Sequence, residues 1–119
     1  MSRLVNSFRF AFRGLYIYIT SGGNVSIHLL ASVVVIVLGF WLEVSLKQWA
    51  FLLLSIGMVH AAEAFNTAIE EIVNFISPQQ HPLAGKIKDL AAGAVLILSI
   101  TASIIGIIIF APLLFEKFN

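Results

Sequence analysis

With 119 residues, 60% of them hydrophobic and 11% charged, and a mean hydropathy of +1.01, the chain is too apolar for a water-soluble domain, which would be roughly 25% charged. One small integral membrane domain, residues 1–119, is all the length allows. A net charge of +1 gives no footing for a nucleic-acid partner, and the absence of cysteine excludes disulfides and thiolate metal sites.

The first element expected is an interfacial amphipathic helix over residues 2–20. Ser2, Asn6, Arg9 and Arg13 share one face, and Leu4, Phe8, Ala11, Phe12 and Leu15 the other, so arginines would meet water and aromatics the lipid. The same arginines argue against a cleavable leader. Ser21-Gly22-Gly23-Asn24 then breaks the helix.

Three transmembrane helices are predicted over 25–42, 49–76 and 90–115, each able to cross a hydrocarbon core about 30 Å thick. Pro112 lies near the exit of the third. Arg3, Arg9 and Arg13 precede the first span, and Lys86 and Lys88 lie between the second and third; Lys47 and Lys117 are alone on the other side. The positive-inside rule therefore puts the N-terminus and the 77–89 loop in the cytoplasm of a multi-pass protein. Trp41 and Trp49 read as anchors at the outer interface. Small residues gather in span two (Gly57, Ala61, Ala62, Ala64, Ala68) and at the start of span three (Ala91, Ala92, Gly93, Ala94), where they permit close helix approach. Three helices have few faces on which to hide polar groups, so an oligomer is expected.

Polar groups there are. Glu63, Asn66 and Glu70 stand at i, i+3 and i+7 within the apolar second span, a spacing that brings them to one helix face. Thr67 and Asn74 extend that face, and His60 sits one turn before it. Charge inside a bilayer costs about 2.5–3.5 kcal/mol on insertion scales and usually marks function. Two carboxylates and an amide oxygen, all hard donors, suit Mg²⁺. Lys88, at the same membrane edge, could bind the phosphates of a nucleotide triphosphate. Glu63, deeper in the bilayer, suits a general base acting on a lipid hydroxyl. Blander roles compete. Glu71 points elsewhere and reads as solvated, Lys86 as an orientation or headgroup charge, and Asp89 as a helix N-cap. His28 and His60 read as packing or inter-helix hydrogen-bonding residues. His81 is open to either reading.

Glu63-x-x-Asn66-Thr67-Ala-Ile-Glu70, followed by His81-Pro-Leu and Lys88-Asp89-Leu-Ala-Ala-Gly-Ala-Val, resembles the prokaryotic diacylglycerol kinase family, which includes undecaprenol kinases. The resemblance covers essentially the whole chain. It implies an all-α membrane homotrimer in the bacterial inner membrane, built from three-span protomers with a surface helix and active sites shared between neighbours. It further implies transfer of the ATP γ-phosphate to a lipid alcohol. By position, Glu63 would be the catalytic base, Glu70 a Mg²⁺ ligand and Asn66 a site-organising group, together with Thr67 and Asn74. Lys88 would bind the ATP phosphates, with Asp89, His81 and Arg3 around the nucleotide. The Ser77-Pro78-x-x-His81-Pro82-Leu83 loop resembles undecaprenol kinases more than diacylglycerol-specific members, which favours undecaprenol over diacylglycerol as acceptor.

Several positions depart from the family pattern: Gly22 replaces a metal-ligating glutamate, Ser26 an arginine, Asn74 an aspartate and Gln80 an aromatic. These departures motivate a second reading, a catalytically weakened member serving as a membrane scaffold or partner subunit. A third, an ion or proton pathway along the carboxylates, is disfavoured because the stripe stops short of the outer leaflet.

Overall fold

The computed structural model describes residues 2–119 as four helices: α1 (Ser2–Ile19), α2 (Asn24–Trp41), α3 (Leu46–Ile76) and α4 (Pro82–Phe118). Met1 lies outside the described residues. The last three helices are long and apolar enough to cross a membrane. At 1.5 Å per residue, α3 and α4 run about 46 and 55 Å, well beyond a hydrocarbon core of about 30 Å. The protomer measures 56 × 44 × 20 Å. Its thin dimension is about two helix diameters, so no helix is covered all round. The exposed Leu, Ile, Val and Phe side chains of α2, α3 and α4 are the surface a bilayer solvates.

α1 stands on the bundle by one foot. Tyr18 is buried, whereas Leu4, Phe8 and Phe12 are exposed, consistent with an apolar face turned to lipid. The following turn needs its glycines. Gly22 and Gly23 have φ of +75° and +58°, a region costing an L side chain about 1–2 kcal/mol. That cost gives a backbone reason for a glycine where the resemblance expects a glutamate.

α3 begins three residues earlier than predicted. Ser45 Oγ accepts from Gln48 N–H at 3.2 Å, while Ser45 N–H donates to Gln48 Oε1 at 2.9 Å, a reciprocal capping box that draws Lys47 and Gln48 into the first turn. Trp49, expected at the outer interface, is half-buried. Its ring fills the space beside Gly39 of α2, where a Cβ would overlap it. Trp41 does remain half exposed, with Lys117 Nζ 5.0 Å from its ring centroid.

α4 differs most from expectation. It starts at Pro82 rather than residue 90, because His81 Nδ1 accepts from Leu83 N–H at 3.1 Å and Pro82 opens the first turn, a position where its missing N–H costs nothing. The connecting loop shrinks to residues 77–81. Asp89 lies two turns inside the helix and is not its N-cap. Helix α4 continues through Pro112 to Phe118.

Candidate active site

Helix periodicity puts Glu63 and Asn66 on the face of α3 that the bundle covers, and both are buried, at 4% and 5% exposure. Glu70, one turn further on, is exposed. Along the axis of α3, Glu70 lies about 10 Å beyond Glu63, toward the end at which α3 meets the 77–81 loop. Asn66 Nδ2 donates to Glu70 Oε1 at 3.2 Å. Its Oδ1 is buried with no hydrogen-bond partner, an acceptor aimed at nothing the protomer supplies. Such orphans are uncommon and call for an explanation. Thr67 turns away: its Oγ1 donates to the Glu63 carbonyl at 3.0 Å, a back-bond to its own helix.

Lys88 reaches the same end from α4. Its Nζ donates to Asn74 Oδ1 at 2.6 Å. An amide can hold an ammonium without cancelling its charge, as a carboxylate there would. The two side chains border a cleft of about 570 Å³ at the α3–α4 turn, also lined by Ser77, Gln80 and His81. The N-terminus of α4 opens into it, and a helix start with a lysine nearby favours phosphate.

The protomer does not gather every predicted residue. Asp89 lines a different depression, beside Lys86 and Gly93. Arg3 sits in the first turn of α1, about 22 Å of helix axis from Tyr18, the residue that fastens α1 to the bundle. His81 spends Nδ1 on its cap. Among the described residues no three His, Asp or Glu side chains cluster to hold a metal. A Mg²⁺ ion does not need them, because it is usually held by one or two carboxylates together with substrate phosphates and water. The exposed Glu70 carboxylate is one such group, and the Asn66 amide that bonds it through Nδ2 leaves its own Oδ1 unpartnered.

Histidines supply the part that spacing alone could not reveal. Ser32 Oγ donates its single proton to the His28 carbonyl at 2.8 Å. Its 2.7 Å contact with His60 Nε2 must therefore be a bond donated by the imidazole. His60 Nδ1 is then the acceptor for Tyr18 O–H at 2.5 Å. One neutral ring thus joins α1, α2 and α3, as an inter-helix hydrogen-bonding residue should. Burial first, and the Glu63 charge second, push the Tyr18 phenol above its ordinary value, which keeps it the donor. His28 Nε2 lies 3.5 Å from Glu63 Oε2.

Comparison with known proteins agrees over nearly the whole length. The family described as prokaryotic diacylglycerol kinase matches residues 9–110. Undecaprenol kinase of Bacillus subtilis (strain 168) is 39% identical over 112 residues, 94% of this chain and 91% of that protein. Diacylglycerol kinase of Synechocystis is 36% identical over 104 residues, 87% of this chain and 59% of that one. Diacylglycerol kinase of Escherichia coli (strain K12) is 34% identical over 89 residues, 75% of this chain and 70% of that one.

Proposed function

This membrane protein belongs to the prokaryotic diacylglycerol kinase family and is a lipid kinase; from that premise we propose that it transfers the γ-phosphate of ATP, with Mg²⁺, to undecaprenol at the cytoplasmic edge of the bacterial inner membrane. The observation that carries the chemistry is the buried Glu63–Asn66 pair, with an acceptor oxygen left unpartnered on the face that ends at Glu70. The likeness to the Bacillus undecaprenol kinase, over nearly the full length of both chains, supports the choice of lipid.

The roles follow from where each group stands. Glu63, sunk among apolar side chains, meets an acceptor that arrives from the lipid side, and its carboxylate takes the hydroxyl proton. The freed oxygen bonds to the γ-phosphorus as the bond from that phosphorus to the ADP oxygen breaks, and ADP departs to the water side. Lys88, held by Asn74, orients the phosphates without losing its charge. Glu70 and Asn66 Oδ1 would hold Mg²⁺, which when bound supplies neutralisation of phosphate charge. Asp89, His81 and Arg3 complete the nucleotide site. Asp89 lies about 100° round α4 from Lys88 and Arg3 near the far end of α1, and in a homotrimer with shared sites they would serve a neighbour's nucleotide. The thinness of the protomer supports that assembly, and the Lys and Arg distribution supports a cytoplasmic N-terminus.

Transfer of labelled γ-phosphate, measured in detergent with undecaprenol and with diacylglycerol, tests the assignment. Faster phosphorylation of undecaprenol is expected. Preference for diacylglycerol would overturn the choice of lipid.

A further inference from the structure

A base must be pointed at its proton, and a carboxylate on a flexible side chain is not pointed by burial alone. Among the described residues, the one side chain within ion-pair distance of Glu63 is His28, at 3.5 Å between Nε2 and Oε2, with side-chain exposures of 18% and 6%. The two come from different helices, α2 and α3, so the contact is a product of the fold. The surroundings then hold His28 in place. Its carbonyl accepts from Ser32 Oγ, which in turn receives the His60 N–H, so the first turns of α2 are tied to α3 at this level. The His60 ring packs edge-on against the His28 ring, with centroids 6.3 Å apart and an interplanar angle of 78°. His60 itself has no nitrogen to spare, since Tyr18 and Ser32 occupy both. Only His28 is free to serve the carboxylate.

We propose that His28 is a positioning residue for the kinase reaction: its Nε2–H holds Oε2 of Glu63, so that Oε1 is the oxygen presented to the lipid hydroxyl. At 3.5 Å the contact is longer than a formed hydrogen bond, and catalytic contacts of this kind shorten when a site fills. The proposal rests on Glu63 being the base.

Three variants in the full-length protein test it, with kcat and KM for the lipid read separately. His28→Phe keeps a ring in the space and removes the donor; kcat is expected to fall about 10–100-fold, as for partners that orient a reacting group, with KM for the lipid unchanged. His28→Gln places an amide N–H where Nε2 stands and is expected to recover most of that loss. Glu63→Gln, run beside them, is expected to be inert. If Glu63→Gln still turns over, the base assignment itself falls. If Glu63→Gln is inert while His28→Phe matches the parent, or His28→Gln is no better than His28→Phe, only the role of His28 falls. Should His28→Phe fail to assemble, ¹⁵N-histidine spectra of the parent and of Glu63→Gln decide: a shift of the His28 ring nitrogens with those of His60 unmoved supports the contact, and an unmoved His28 overturns it.

Discussion

At the end where α2 stops and α3 starts, Leu42, Val44, Leu52, Ile109 and Phe110 form a buried apolar cluster, with Trp49 packed against it and against Gly39. At the other end of the same helices, the buried side chains of α3 include Glu63 and Asn66, and a buried amide oxygen goes unpartnered. One end spends its contacts on packing. The other leaves a buried amide oxygen without a protein partner, which a ligand, a second protomer or an ordered water would supply. Strained, partly satisfied polar groups tend to sit at functional sites, and the remainder of a fold compensates for them. Here the division runs along the length of single helices, so stability and chemistry should be separable by mutation at opposite ends of α3.

The sharpest test of that separation is Glu63→Gln, expected to abolish turnover while size-exclusion and thermal unfolding profiles stay those of the parent; unfolding at lower temperature would make Glu63 a structural group after all. Lys88→Ala should raise KM for ATP about 10–100-fold, the loss of a charge-assisted hydrogen bond, and an unaltered KM would place the phosphates elsewhere. From the packed end, Gly39→Ala forces a methyl into the Trp49 ring and should cost about 1–3 kcal/mol of stability, measured by denaturation in detergent, with turnover per folded protein retained. Loss of turnover in folded Gly39→Ala would break the division between the ends. Asn66→Ala should raise the Mg²⁺ concentration for half-maximal rate about tenfold, read from a metal titration; an unchanged titration would leave Oδ1 without a metal to hold. The smallest effect is expected of Ser45→Ala, about 1 kcal/mol from half of a capping box, and a larger loss would mean that α3 depends on its first turn more than its length suggests.

The two ends were not equally legible in the sequence. The carboxylate face could be read because one helix carries all of it, and the 3.6-residue period alone brings Glu63, Asn66 and Glu70 together. The pairing of His28 with Glu63 could not, because it depends on how α2 leans on α3, and 35 positions of chain separate the two. The same is true of Trp49, whose place beside Gly39 is set by packing while its composition and position suggest an interfacial ring. The early start of α4 left a signal that was open to reading: His81 followed by Pro82 is a cap and first-turn proline in plain view. The lysines and Asp89 beyond it mask that start, because they ride on a helix that extends past the apolar stretch beginning at Leu90.

Tyr18 is where α1 touches the rest of the protein, and Gly22 and Gly23 form the joint behind it. Such an arrangement has the form of an outrigger: an arginine-bearing arm held to the bundle near its C-terminal end, with a glycine joint behind the point of attachment. A tilt of that arm would pivot on the phenol bound to His60, one helical turn from Glu63, so the surface helix and the buried carboxylate share a mechanical neighbour.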